Sequence, residues 1–128
     1  GNYDIISEEI KWVNAGHQPA LIRHTKGNFE EFESQSPPLG VIFQKNKSVY
    51  QVNNKNLNGH RFYSFTDGLS ESLDKNNEEV GIEGSKKIIN NNFNSSLADE
   101  LDNISKEVIS NSSKDKLDDD LTILTIGR

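Results

Sequence analysis

Residues 61–70 read Arg-Phe-Tyr-Ser-Phe-Thr-Asp-Gly-Leu-Ser and constrain the fold more than any other stretch. Phe62, Ser64 and Thr66 alternate with Arg61, Tyr63 and Phe65, a period of two rich in aromatics, so Arg61–Thr66 is predicted as a strand. Asp67-Gly68 stops it. Glycine permits a tight turn and leaves no Cβ to block what sits above it. The strand thus delivers one carboxylate, Asp67, at its own C-terminal end. By itself an Asp-Gly pair is only a turn signal. A second acidic group, Asp118-Asp119-Asp120, precedes another apolar run, Leu121–Ile126, which reads as a buried strand. If that strand returns beside Arg61–Thr66, Asp119 comes near Asp67.

The segments around these two runs suggest an α+β fold. Tyr3–Ile6 and Glu9–Asn14 read as a hairpin. Asn14-Ala15-Gly16-His17-Gln18-Pro19 breaks the pattern, because proline cannot donate to a ladder. Ala20–His24, Phe29–Glu33 and Ser48–Asn53 alternate as further strands, Val41–Phe43 is a short apolar piece, and Asn54–His60 is turn chemistry. Ser85–Phe93 reads as a short helix. Leu97, Leu101, Ile104 and Val108 share one face of a helix over Leu97–Ser110, with Ser96 and Asp99 as a capping box. Asn111–Lys116 reads as a loop. About six strands and two helices make a sheet or sandwich with helices packed on one face, a single domain over residues 1–128.

Composition narrows the chemistry. The net charge of −6 makes nucleic acid or an anionic membrane an unsuitable partner. The chain has no cysteine, which excludes disulfides, zinc–thiolate sites and cysteine nucleophiles. Hydrophobic residues make up 32% and glycines number 9, which leaves the apolar share below the usual ~45–50%. Either an asparagine-rich surface or a core shared with a further segment accounts for this. Two carboxylates at separate strand ends form an oxygen-only environment suited to Mg²⁺ or Mn²⁺. The bland reading of Asp118–Asp120 is a solvated loop. His17, His24 and His60 fit no zinc pattern; His24 and His60 suit strand or turn capping, and His17 suits loop ordering. No serine–histidine–aspartate triad and no glycine-rich phosphate loop stands out.

Five segments, in order, carry a resemblance: Trp12–Pro19, Pro38-Leu39-Gly40, Tyr63–Glu71, Val80-Gly81 and Asp119-Asp120-Leu121-Thr122. Together they resemble the bacterial serine phosphatases of the stage II sporulation protein E type, a branch of the metal-dependent (PPM, 2C-like) protein phosphatases. The resemblance covers the family's C-terminal half. It implies part of a β-sandwich flanked by helices, with two Mn²⁺ or Mg²⁺ ions at one end and a metal-activated water that hydrolyses phosphoserine or phosphothreonine. Asp67 and Asp119 match metal-ligating aspartates, and Asp120 would orient rather than ligate. Gly68 adjoins the site. Gly16-His17 stands where eukaryotic-like relatives carry Gly-Asp near a further metal, so His17 receives no metal here. Gly59-His60 replaces the usual Gly-Asp before the central strand.

The family's bridging aspartate belongs to a first half that this chain does not show, so metal occupancy and activity are expected to be weak or absent in the chain alone. An apolar surface for that half, open to self-association, is also expected. The resemblance further implies a phosphorylated regulator of a sigma-factor or two-component pathway as substrate, an upstream sensor or receiver domain, and a cytoplasmic location, with membrane anchoring upstream left open. Two other readings stand beside it: a non-catalytic phosphatase-like interaction module, and an acidic cation-binding module.

Overall fold

The computed structural model describes residues 1–41, 50–111 and 120–128. Among them are seven strands and three helices: β1 (Asn2–Asp4), β2 (Glu9–Trp12), β3 (Ala20–Arg23), β4 (Phe29–Phe32), β5 (Asn53–Asn56), β6 (Arg61–Phe65), α1 (Asp67–Ser70), α2 (Gly81–Asn92), α3 (Leu97–Asn111) and β7 (Ile123–Ile126). The chain forms two compact units, Gly1–Ser64 with Gly127 and Phe65–Ile126 with Arg128. No helix among the described residues is long and apolar enough to cross a membrane.

The first unit is a sandwich of two antiparallel sheets. In one, β2 lies between β1 and β5, with Tyr3 opposite Ile10 and Trp12 opposite Asn53. In the other, β3 lies between β4 and β6, with Ile22 opposite Phe62 and Ala20 opposite Phe32. Side chains alternate across a strand, so Ile22, Phe62 and Phe32 share one face. Trp12 from the first sheet meets that face edge-on. Its ring centroid lies 5.1 Å from those of both Phe32 and Phe62. Ile10, Ile22 and Leu57 are buried with them. At the rim, Lys55 on β5 reaches Glu30 on β4 at 2.7 Å. The opposite face of β3 is also buried, with Leu21 and its partner Tyr63 fully so.

The second unit holds the three helices and β7. α2 packs against both α1 and α3, burying Leu69, Ile88, Ile89, Ile104 and Val108. Half of the capping box forms: the Asp99 backbone N–H donates to Ser96 Oγ at 3.3 Å, while the Ser96 N–H goes to Asn94 Oδ1 at 3.1 Å rather than to Asp99. Asn92 Nδ2 on α2 also donates to Glu107 on α3.

The α+β sandwich with helices is therefore the fold, with one strand and one short helix more than the sequence suggested. Three readings need correction. Residues 50–52 are not strand; pairing with β2 places β5 at Asn53–Asn56, because ladder partners override the poor strand propensity of asparagine. The second helix starts at Gly81 rather than Ser85: the Gly84 N–H donates to Val80 O at 3.0 Å and closes the first turn. β7 is a strand but is not buried, and Leu124 is 52% exposed. In the first unit Ile5 and Ile6, in the β1–β2 turn, are also exposed. Phe43, the end of the short apolar piece, and Ser48 lie outside the described residues, as does most of the Asn111–Lys116 loop, whose first residue belongs to α3.

Candidate functional site

β6 ends as its sequence requires, and Thr66 then switches the chain from strand to helix. The Thr66 carbonyl accepts the Leu69 N–H at 3.1 Å and so opens α1. A threonine in this place commonly caps with its hydroxyl, yet Thr66 makes no side-chain cap bond. Its hydroxyl is engaged elsewhere. The Thr66 N–H donates to Thr122 O at 3.0 Å. The Thr122 N–H donates back to Thr66 Oγ1 at 3.0 Å, and that hydroxyl donates to Asp120 O at 2.9 Å.

Gly68 completes the join. A Cβ placed on it would lie 2.8 Å from the Asp120 carbonyl carbon and 3.1 Å from the Leu121 nitrogen. The space above Gly68 is thus filled by the backbone that leads into β7. Asp67 and Asp120 are both exposed, while Gly68, Leu69 and Ser70 are buried. The Asp67 carboxylate makes no hydrogen bond or ion pair among the described residues. Asp118 and Asp119 lie outside the described residues, so the structure brings Asp67 and Gly68 to Asp120 and leaves Asp119 unplaced.

The donors fit a hard divalent cation in kind: oxygen only, exposed and anionic. They do not complete a centre in number. Among the described residues no group of three or more His, Cys, Asp or Glu could hold a metal ion. Leu101, Ser105, Leu121 and Ile123 line an open hollow of about 120 Å³, with no ionisable group among these described residues.

Gly16 and His17 belong to the first unit, in the loop after β2. Asn14, 6% exposed, organises that loop. Its Nδ2 donates to Gln18 O at 2.9 Å and its Oδ1 accepts the His17 N–H at 2.9 Å. The Gly16 N–H donates to Ser34 Oγ at 2.7 Å, and that hydroxyl donates to Asn14 O at 3.1 Å. Gly16 takes a positive φ of +78°, and a Cβ there would lie 3.0 Å from Pro38 Cδ. His17 is exposed, and among the described residues only its backbone N–H takes part in this network. Asn14 and Ser34 therefore do the ordering that the sequence attributed to His17.

His24 and His60 do act at a turn. Their rings lie 4.4 Å apart, and the Thr25 N–H donates to His60 Nδ1 at 3.3 Å. Burial lowers the His60 pKa below its ordinary 6.5; the neighbouring His24 adds to this and Glu30 opposes it.

Sequence reasoning missed Thr66, Asn14 and Ser34. Thr66 had a signal in the Thr-Asp-Gly order; Ser34 had none.

The family model for stage II sporulation protein E (SpoIIE) matches residues 1–128. Protein IcfG of Synechocystis sp. (strain ATCC 27184 / PCC 6803 / Kazusa) is 25% identical over 129 residues, which cover 100% of this chain and 20% of that protein. The structure of the phosphatase domain of the cell fate determinant SpoIIE from Bacillus subtilis (Mn presoaked) superimposes with a TM-score of 0.71 at 20% identity. The match covers 98% of this chain and 53% of that one. The SiaA-PP2C domain of Pseudomonas aeruginosa gives a TM-score of 0.75 at 15% identity, over 95% of this chain and 47% of that one. The chain thus spans a fifth of the curated relative and about half of each solved phosphatase domain.

Proposed function

The chain belongs to the stage II sporulation protein E (SpoIIE) family, and from that membership we propose that it is the C-terminal portion of a metal-dependent serine/threonine protein phosphatase domain. The observation that carries this reading is the join of Thr66 and Gly68 to Asp120, which leaves the exposed Asp67 carboxylate, at the start of α1, without a hydrogen bond among the described residues.

Asp67 and Asp119 would hold divalent metal, either Mn²⁺ or Mg²⁺, with two ions in the complete domain. When bound, such ions supply a nucleophilic water at neutral pH and neutralise phosphate charge. This chain's own residues contribute binding and placement. Asp67 presents its carboxylate from the first turn of α1, just after β6. Gly68 admits the Asp120 backbone. Asp120 flanks the site and orients it. The substrate is a phosphorylated serine or threonine on a protein regulator of a sigma-factor or two-component pathway. An upstream sensor or receiver domain controls the enzyme, and the domain works in the cytoplasm. Exposed apolar residues such as Ile5, Ile6 and Leu124 are surfaces for the remainder of the domain or for a second copy.

The full-length protein with a phosphoserine peptide and millimolar Mn²⁺ tests this. Turnover that needs the metal and falls at least about 100-fold in Asp67→Asn is expected. Full-length protein without turnover but with intact fold would favour a non-catalytic interaction module.

A further inference from the structure

In an antiparallel ladder two opposite residues exchange N–H···O=C bonds in both directions. Thr66 and Thr122 keep one half of that exchange, Thr66 N–H to Thr122 O. The other half is not made: the Thr66 carbonyl turns to the Leu69 N–H at the start of α1, and the Thr122 N–H goes to the Thr66 side chain. The Thr66 hydroxyl takes the place of the carbonyl and accepts the Thr122 N–H. Its own proton goes to Asp120 O. One side chain therefore ties the residue before Asp67 to both Asp120 and Thr122.

Resting on the phosphatase reading above, we propose that Thr66 is a positioning residue that holds the Asp67 turn against the Asp120 backbone, and so sets the affinity for a divalent ion held by Asp67. Two hydrogen bonds at Oγ1, one donated to Asp120 O and one accepted from the Thr122 N–H, hold the turn that carries Asp67 against the lead into β7, while Gly68 removes the bulk that would part them. The hydroxyl touches neither ion nor substrate in this role. Partners of this kind change metal affinity by about 10–100-fold when removed.

The test uses the full-length protein and three variants. Thr66→Val keeps the shape and removes the hydroxyl, Thr66→Ser keeps the hydroxyl, and Asp67→Asn removes the ligand. Calorimetric titration with Mg²⁺ should show affinity lowered about tenfold or more in Thr66→Val and restored to within about threefold in Thr66→Ser. Unchanged affinity in Thr66→Val alongside a loss in Asp67→Asn overturns the positioning role and leaves the metal site standing. Unchanged affinity in Asp67→Asn overturns the metal site itself. Should Thr66→Val fail to fold, amide exchange of the wild-type segment carrying Thr122 decides. Slowing by Mg²⁺ that Asp67→Asn abolishes supports the proposal, and exchange indifferent to Mg²⁺ overturns it.

Discussion

The backbone carbonyl of Asp120 occupies the space that a side chain on Gly68 would need. The contact is backbone against a would-be Cβ, with the Asp120 carbonyl carbon at 2.8 Å, so no rotamer change relieves it.

Gly68→Ala must therefore move the α1 turn or the lead into β7. Overpacking of this kind costs about 1–3 kcal/mol. Urea unfolding should show a lower midpoint with an unchanged slope. Gly40→Ala is a weaker control: its Cβ would meet nothing within 4 Å, although its φ of +83° carries its own strain.

Asn14→Ala removes both bonds that brace the loop holding Gly16 and His17. It leaves the His17 N–H and the Gln18 carbonyl without their partner. A loss of about 1–3 kcal/mol is expected. Asn14→Asp keeps the acceptor for the His17 N–H but sets an oxygen against the Gln18 carbonyl, so it should rescue only part of the loss. Thermal melts of the three proteins give the order wild type, Asp, Ala.

His60 gives a pH dependence with a defined sign. Its folded pKa is depressed below 6.5 by burial first and by His24 second, with Glu30 opposing. The unfolded chain thus takes up a proton that the folded one resists. The contribution to stability is complete above about 6.5 and is lost as pH falls through the depressed folded value. Protonation at Nδ1 would also displace the Thr25 N–H. Denaturant midpoints measured from about pH 7.5 to 5 should fall, and His60→Gln should flatten that fall.

Trp12 is the only tryptophan in the sequence. It sits between the sheets with Phe32 and Phe62 on its edges, so its emission reports the sandwich directly. Phe62→Ala should cost about 3–5 kcal/mol, and its unfolding followed by Trp12 fluorescence should begin at correspondingly lower denaturant.

Much of this arrangement could be read from residues alone. Period 3.6 in Leu97–Val108 reflects one buried face, which leaves a pattern in the chain; Arg61–Phe65 is buried on both faces, and its aromatic, β-favouring residues mark it as a strand. The Asp67-Gly68 stop was legible because glycine there signals close approach. Other features left no pattern. β5 is Asn-Asn-Lys-Asn, a strand only because β2 offers it partners. β7 is as apolar as a core strand, yet its exposure depends on what packs beside it, which no local run of letters encodes. Ser85 looked like the start of a helix, whereas α2 already runs through Gly81–Gly84. The role of the Thr66 hydroxyl depends on where the Thr66 carbonyl goes, a fact of three-dimensional pairing rather than of spacing.

The exchange of a hydroxyl for a main-chain oxygen opposite Thr122 restricts the alphabet at that codon. Only two amino acids carry an oxygen on Cβ. A saturation library at position 66 screened for Mg²⁺ binding should return serine and threonine and little else, whereas the exposed codon for Glu71 should accept a broad range of polar residues.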